Sequence, residues 1–230
     1  MERELSKLKV LELFAGTRSI GKAFERKGHE VFSVEWDRQH ENIDLYIDIN
    51  FLTSEMVIEK FGKPDIIWAS PDCTTYSIAG ISHHRRKEET GNLKPVSDYA
   101  KFSDETNKHV LDLINELKPK YFFIENPRGG LRKMDFMQDF NRYTVTYCQY
   151  GDNRMKPTDI FTNHPDPNFK PMCKNGDPCH VSAPRGSATG TQGIKGTVDR
   201  SRIPEELCDY IVKISEVGGR DGSARNIRRN

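Results

Sequence analysis

Three short apolar runs in this chain each end in a polar segment that carries a chemically useful group. The first run leads into a glycine turn at residues 14–16, the second delivers Cys73, and the third ends at Glu125. Parallel strands place their carboxyl ends at one edge of a sheet, where α/β folds bind ligands. The sequence therefore predicts an α/β fold in which a turn, a thiol and a carboxyl group share one crevice.

Composition limits the class of protein. A chain of 230 residues has room for one α/β domain and a small appendage. The net charge of +1 argues against a uniformly basic nucleic-acid binder. Charges near Met1 argue against a signal peptide, and no apolar stretch approaches the length of a membrane span. Five scattered cysteines in such a chain indicate reduced thiols, so we expect a cytoplasmic protein with no membrane partner.

Hydrophobic periodicity predicts the elements that position these groups. Strands are predicted at 9–14, 31–36, 43–49, 65–69, 121–125 and 144–150, with 159–162 continuing the sheet. Helices are predicted at 20–27, from a Thr53 cap through Phe61, from a cap at Ser103 or Asp104 to the residue before Pro119, and at 204–214.

Residues 78–102 lack periodicity and contain the basic run Arg85, Arg86 and Lys87. Loops of this length inside compact domains are usually functional, so a long mobile loop is predicted here. A solvated surface explains such a basic run by itself. Its position after Cys73 favours contact with phosphates instead.

Acidic and aromatic residues at strand ends suggest a nucleoside pocket. The turn at 14–16 lacks the spacing of the dinucleotide fingerprint, which argues against a nicotinamide or flavin cofactor. Glu35 could accept hydrogen bonds from ribose hydroxyls, Trp36 offers a flat face for a purine, and Asp48 could accept from an exocyclic amine. Each residue alone is better explained as a strand-terminal polar group or a core tryptophan. Together they predict an adenosine pocket.

With these motifs in order, the chain resembles the DNA cytosine-5 methyltransferases, which use S-adenosylmethionine. The resemblance covers most of residues 8–162, with a weaker match at 199–214. The matching motifs are Leu13-Phe14-Ala15-Gly16, Glu35-Trp36, Asp48-Ile49, Pro71-Asp72-Cys73, Glu125-Asn126-Pro127, and Tyr150-Gly151 with Arg154 and Lys156. The resemblance implies a Rossmann-like methyltransferase sheet with helices on both faces and a small irregular insert. It points to a compact, divergent, phage-type member.

The resemblance also implies roles for individual residues. The catalytic set is Cys73, Glu125, Arg154 and Lys156. The set that binds S-adenosylmethionine is Phe14, Ala15, Gly16, Thr17, Arg18, Ser19, Ile20, Glu35, Trp36, Asp48, Ile49, Ser70, Pro71 and Ser201. The set that contacts nucleic acid is Thr75, Tyr76, Ser77, Arg85, Arg86 and Lys87.

The implied chemistry suits these residue types. A Cys73 thiolate adds to C6 of a flipped-out cytosine, which makes C5 nucleophilic toward a methyl sulfonium. Glu125 hydrogen-bonds N3 and offsets the developing charge. The chain departs from the family pattern at Asp72, which stands where a proline precedes the cysteine. A carboxylate beside the thiol disfavours the thiolate.

Composition divides the chain into a catalytic and cofactor-binding domain at 1–162, a loop-rich insert at 163–198, a closing segment with a helix at 199–217, and a disordered basic tail at 218–230. The insert is small for a target recognition region. The resemblance implies double-stranded DNA as the substrate, and the small insert indicates that recognition is relaxed or supplied by a protein partner.

The insert also contains Cys173, Cys179 and His180, which could bind zinc together with His164 or Cys148. Their spacing does not match a standard zinc finger, so unliganded thiols and no metal are predicted.

Two alternatives remain at the level of sequence. The same chemistry could act on RNA or a free cytosine nucleotide, since no large recognition domain is present. A non-catalytic nucleic-acid-binding relative, with the thiol silenced by Asp72, is the second alternative. The presence of both Cys73 and Glu125 disfavours it.

Overall fold

A computed structural model describes residues 6–182 and 196–217. Its main sheet has seven strands in the order β3-β2-β1-β4-β7-β9-β8, and β5 and β6 form a separate hairpin. The strands are β1 (Lys9–Leu13), β2 (Glu30–Glu35), β3 (Leu45–Tyr46), β4 (Ile66–Ala69), β5 (Arg85–Lys87), β6 (Leu93–Pro95), β7 (Tyr121–Pro127), β8 (Asn141–Thr146) and β9 (Pro157–Thr162). The helices are α1 (Ser19–Arg26), α2 (Ser54–Lys60), α3 (Ile81–His84), α4 (Asp98–Leu117), α5 (Thr197–Ser201) and α6 (Glu205–Glu216).

The sheet is mixed. Strands β3, β2, β1, β4 and β7 pair in parallel. Strand β9 runs antiparallel between β7 and β8. Parallel neighbours require crossover connections, and these carry helices to the two faces of the sheet. The predicted α/β class with a Rossmann-like sheet is confirmed.

Alternation along the strands divides the core into two layers. On one face, Leu11 and Leu13 of β1 pack in a cluster that includes α2 and α4. On the other face, Val10 and Trp68 pack in a cluster that includes α1 and α6. Burying both faces explains why β1, β4 and β7 are nearly continuous apolar runs.

Helix boundaries follow local capping chemistry. The Thr53 hydroxyl accepts a hydrogen bond from Met56 N at 3.3 Å and begins α2, as predicted. Gly62, with φ of 91°, follows its end. The Ser97 hydroxyl accepts from Ala100 N at 3.1 Å and begins α4. The prediction of a cap at Ser103 or Asp104 is therefore wrong, because an earlier serine provides the cap.

The predicted structureless loop at 78–102 is also wrong in part. This segment contains α3, the β5–β6 hairpin and the first turn of α4. These elements are too short to produce a recognisable period, which explains why the sequence did not reveal them. Two other expected strands are shorter than predicted. β3 covers only Leu45–Tyr46, and the segment after Thr146 is a 3₁₀ turn at Tyr147–Tyr150.

The C-terminal helix α6 packs against α1. Arg26 pairs with Glu205 at 3.1 Å and with Asp209 at 3.0 Å, and His29 Nε2 lies 3.0 Å from Glu216 Oε1. Residues 183–195 of the predicted insert and the tail at 218–230 lie outside the described residues. Within 6–182 and 196–217, none of the helices combines the length and the apolar character needed to span a membrane.

Candidate active site

The parallel strands bring the ends of β1, β4 and β7 to one edge of the sheet, as the three apolar runs predict. Ser70 N, just after β4, donates to Leu13 O of β1 at 3.3 Å. Asn126 Nδ2 of β7 donates to Pro71 O at 2.9 Å. The segment that carries Cys73 is thus tied to both neighbouring strands.

Cys73 begins a tight turn after β4. Its carbonyl accepts hydrogen bonds from Tyr76 N at 3.0 Å and Ser77 N at 2.8 Å, which fixes the cysteine backbone. The Cys73 side chain is half-buried. Burial raises the pKa of its thiol to about 11, and the charges of Asp72 and Glu125 add to the rise, while Lys156 opposes it. At neutral pH the protonated thiol is therefore the resting form of Cys73.

Asp72 is held by other side chains. Its Oδ2 accepts from the Tyr99 hydroxyl at 2.6 Å, and its Oδ1 accepts from the Thr74 hydroxyl at 2.8 Å. These bonds fix the carboxylate between the Cys73 turn and α4. They stabilise the charge that raises the pKa of the Cys73 thiol.

Glu125 and Lys156 meet at the ring of Tyr147. The Tyr147 hydroxyl donates to Glu125 Oε1 at 3.1 Å, and Lys156 Nζ lies 4.6 Å from the Tyr147 ring centroid. Lys156 has a positive φ of 26°, a strained conformation for a residue with a side chain. Burial lowers the pKa of Lys156, and the charge of Glu125 opposes that shift. A carboxylate and an ammonium group thus lie near Cys73 in a half-buried site.

Arg154 is placed differently from Lys156. It is buried and pairs with Asp152, and its guanidinium also donates to Asp199 O at 3.2 Å and Arg202 O at 3.3 Å. Lys156 Nζ donates to Arg200 O at 2.8 Å. Both side chains therefore tie the loop before β9 to α5 and the residues that follow it.

We expect charge changes around Cys73 to alter its reactivity in opposite directions. Asp72→Asn removes a carboxylate that raises the pKa of Cys73, so alkylation by iodoacetamide at pH 8 should accelerate several-fold. Lys156→Met removes the opposing charge and should slow it. Because the pKa lies near 11, the wild-type rate should rise about tenfold per pH unit between about 7 and 9.

The measurement is the rate of label incorporation at Cys73 by peptide mass spectrometry. A plateau of the wild-type rate below about pH 9 would contradict the raised pKa. Equal rates in both variants would contradict the assigned charge contacts.

A cleft of about 290 Å³ opens beside the Cys73 turn. Five of the predicted cofactor residues line one side of this cleft: Phe14, Trp36, Asp48, Ile49 and Pro71. Trp36 is 65% exposed, so it is not a core tryptophan. Its exposed ring at a ligand-sized cleft fits a platform for a flat base.

Glu35 supports the glycine turn. Its Oε2 accepts from Gly16 N at 3.0 Å, and its Oε1 accepts from Trp36 N at 2.9 Å and Asp37 N at 3.1 Å. Asp48 Oδ1 accepts from Asn50 N at 2.9 Å and caps the following turn. A carboxylate has about four acceptor sites, so Glu35 retains capacity for a further donor.

The remaining predicted cofactor residues do not line this cleft. Ile20 is buried in the core, and Arg18 is buried beside Glu12 and paired with Glu25. Ala15 and Thr17 lie in the turn that leads to α1, Ser19 is the first residue of α1, and Ser70 Oγ accepts from Trp68 Nε1. Ser201 is exposed and donates to Val198 O at 2.7 Å.

The opposite wall of the cleft comes from the first turns of α4, which sequence reasoning missed. Its lining residues are Tyr99, Phe102, Ser103, Thr106 and Asn107. These lining residues are spaced three and four apart, which places them on one face of a helix. That face can be recognised only once α4 is known to begin at Asp98. Tyr147 was missed as well, because no sequence signal separates it from an ordinary strand residue.

Three residues predicted to contact nucleic acid are buried. Thr75, Tyr76 and Arg85 each expose 2% or less of their surface. Arg85 pairs with Asp104 at 2.7 Å and lies 4.1 Å from the Tyr76 ring centroid. In this conformation Arg85 is not available to a phosphate, because Asp104 and the carbonyl of Thr75 already bind its guanidinium.

The next residues of the same run are exposed. Arg86 and Lys87 of β5 are both exposed, and Ser77 is half-buried at the end of the Cys73 turn. The alternation of β5 separates the buried Arg85 from the exposed Arg86.

Three cysteines and one histidine from two segments converge beside the 3₁₀ turn at Tyr147–Tyr150. Ligand atoms of Cys148, Cys173, Cys179 and His180 all lie within 4.8 Å of one another. His164 is not part of this group, since its Nε2 lies 3.2 Å from Ile214 O and its ring packs on Tyr121.

Comparisons with known proteins agree with this geometry. The sequence profile of the C-5 cytosine-specific DNA methylases matches residues 8–151. The curated protein "Probable DNA (cytosine-5)-methyltransferase" of Frog virus 3 (isolate Goorha) is 28% identical over 214 residues, which are 85% of this chain and 93% of that protein.

Solved structures share the fold at low identity. A DNA modification methyltransferase encoded within an E. coli prophage has 18% identity and a TM-score of 0.50, over 68% of this chain and 46% of that chain. The Entamoeba histolytica methyltransferase EhMeth has 14% identity and a TM-score of 0.50, over 68% of this chain and 52% of that one. The chain spans about half the length of these two structures.

Proposed function

Because this chain belongs to the C-5 cytosine-specific DNA methylase family, we propose that it transfers a methyl group from S-adenosylmethionine to C5 of cytosine in DNA, with Cys73 as the nucleophile. One observation carries the assignment. The Cys73 turn follows β4, and Asn126, next to Glu125 on the neighbouring β7, donates to Pro71 O, so the thiol and the carboxyl group share one edge of the sheet. The same turn borders the cleft that Trp36 lines.

The chain fits the methyl donor. Trp36 offers an exposed ring for adenine, Asp48 a carboxylate for its exocyclic amine, and Glu35 acceptor capacity for ribose hydroxyls. The glycine turn and the start of α1 would hold the amino acid end. When bound, S-adenosylmethionine supplies an electrophilic methyl group.

The residues around Cys73 divide the chemical work. Cys73 adds to C6 of the base as a thiolate, and the electron pair of the C5–C6 bond becomes available at C5. Lys156 stabilises the thiolate by its charge. Glu125, held by Tyr147, hydrogen-bonds the N3 edge of the ring. After transfer, loss of the C5 proton expels Cys73 and restores the ring.

We further propose double-stranded DNA as the substrate, with the target base flipped out of the stack. Arg86 and Lys87 are the exposed cations of the original basic run and are assigned to phosphates. The short insert favours a protein partner in target recognition. The five cysteines, all within the described residues, form no disulfide, which suits the reducing cytoplasm.

The cleft assignment predicts a loss of cofactor affinity when the platform is removed. Trp36→Ala should weaken S-adenosylmethionine binding by about fivefold to 150-fold, because stacking of a base on an aromatic ring is worth about 1–3 kcal/mol. Phe51→Ala is the matched control, since Phe51 is 71% exposed and does not line the cleft. Calorimetry measures both, and equal affinities in the two variants would move the cofactor elsewhere.

The function itself is tested by methyl transfer in solution. Labelled S-adenosylmethionine is incubated with the full chain and duplex DNA, a single-stranded RNA or a cytosine nucleotide. We expect incorporation into duplex DNA and bisulfite-resistant cytosines in the product. Transfer to RNA or nucleotide alone would replace DNA as substrate, and no transfer to any of them would leave only a nucleic-acid-binding role.

A further inference from the structure

We propose that Cys148, Cys173, Cys179 and His180 bind one structural zinc ion that fastens the insert to the catalytic domain. The site goes beyond methyl transfer and uses none of the residues assigned to it. It differs from the expectation of unliganded thiols, which rested on spacing in the insert. Cys148 lies outside the insert, and the structure selects it over His164, the other candidate that the sequence offered.

The distances among the four ligand atoms match one metal sphere. Cys148 Sγ lies 3.0 Å from Cys173 Sγ and 3.6 Å from Cys179 Sγ. His180 Nδ1 lies 3.8 Å from Cys173 Sγ and 3.5 Å from Cys179 Sγ. Zinc bonds of about 2.3 Å to sulfur and 2.0–2.1 Å to nitrogen give tetrahedral edges of about 3.8 and 3.6 Å. Of these four pairs, Cys148–Cys173 must open, by less than about 1 Å, and the other two pairs of ligand atoms lie within 4.8 Å.

The donor set selects the metal. Three thiolates and one imidazole form a Cys₃His site, which is typical of structural zinc, whereas iron–sulfur clusters are mostly held by four cysteines. Cys148 and Cys173 are buried, and four protein ligands leave no position for a substrate or water. Gln149 Nε2 lies 3.8 Å from Cys179 Sγ and provides an outer N–H···S contact.

Hydrogen bonds already hold the segments that carry the four ligands. Cys173 N donates to the Thr146 hydroxyl at 3.1 Å, and Val181 N donates to Asn153 O at 2.9 Å. Cys148 belongs to the same 3₁₀ turn as Tyr147, which binds Glu125. A zinc ion here would hold the insert beside the catalytic carboxylate.

Metal binding also fixes the His180 tautomer. Gly176 N lies 3.4 Å from His180 Nε2, a weak hydrogen bond that needs an unprotonated Nε2. Coordination by Nδ1 moves the proton to Nε2, so this contact must break. Nitrogen-15 chemical shifts of the ring should report Nδ1 as the ligand in the zinc-bound protein.

The test uses the full chain, expressed with zinc and purified without chelator under reducing conditions. Elemental analysis should give one zinc per chain. Replacing zinc with cobalt should produce the visible bands of a tetrahedral thiolate site, a result that requires no variant. Cys179→Ser and Cys173→Ser should lose the metal, while Cys208→Ala and Cys73→Ser should retain it.

Three outcomes would overturn the site. One is a metal-free wild type that gives no tetrahedral cobalt spectrum. Another is zinc retained in both cluster variants. The third is a Cys148–Cys173 disulfide in protein alkylated under native conditions. Retention of zinc by Cys73→Ser separates this test from the test of methyl transfer, since that variant lacks only the nucleophile.

Discussion

Cys73→Ser should reduce methyl transfer by at least about three orders of magnitude, because a hydroxyl cannot replace the thiolate that adds to C6. S-adenosylmethionine affinity should stay at the wild-type value, since the cleft is formed by other side chains. Cys208→Ala is the control. It removes a thiol of α6 on the other face of the sheet and should leave transfer intact.

A trapping experiment checks the same residue by its product. Fluorine cannot leave C5 as a cation, so DNA with 5-fluorocytosine should capture a covalent adduct at Cys73 after methyl transfer. The adduct should require S-adenosylmethionine and be absent in Cys73→Ser. An adduct on another cysteine, or full activity of the serine variant, would remove Cys73 from its proposed role.

Arg85→Ala should destabilise the protein by about 3–5 kcal/mol, the usual cost of leaving one partner of a buried ion pair uncompensated. Asp104 would lose its ion pair at 2.7 Å, and the Thr75 carbonyl would lose the Arg85 Nε–H bond at 3.0 Å. The Tyr76 hydroxyl, which donates to Asp104 at 2.7 Å, would remain as a partner. Chemical denaturation measures the change in unfolding free energy.

Arg86→Ala is the matched control for this prediction, since it removes the neighbouring but exposed arginine. It should leave the unfolding free energy near the wild-type value. If it removes one phosphate contact, the slope of log K for DNA binding against log salt concentration should become shallower by about 0.9. The buried pair is excluded if Arg85→Ala unfolds at the wild-type denaturant concentration. The phosphate contact is excluded if the salt titration of Arg86→Ala is unchanged.

The rest of the buried network explains why Arg85 cannot be exchanged freely. Asn107 Nδ2 donates to the Tyr76 hydroxyl at 3.1 Å, so α4, β5 and the Cys73 turn share one set of hydrogen bonds. The double variant Arg85→Met with Asp104→Leu removes both charges and should recover part of the lost stability. The network therefore couples the hairpin to the segment that positions the nucleophile.

The sequence by itself determined the sheet and the edge at which its chemistry lies. Three apolar runs specify buried parallel strands, because each run is too apolar for an exposed strand. They lead to Phe14, Cys73 and Glu125. Parallel pairing then places their ends together without further information. Thr53 caps α2 as predicted, because helix capping depends only on residues three positions apart in the sequence.

Only the tertiary structure decided which partner each polar group meets. Arg85 and Arg86 are adjacent and chemically identical, yet one is buried against Asp104 and the other faces solvent. The α4 wall of the cleft and the convergence of Cys148 with Cys173 likewise join residues distant in sequence. Such contacts depend on how the helices and strands pack against each other, and the local hydrophobic pattern of the sequence does not predict them.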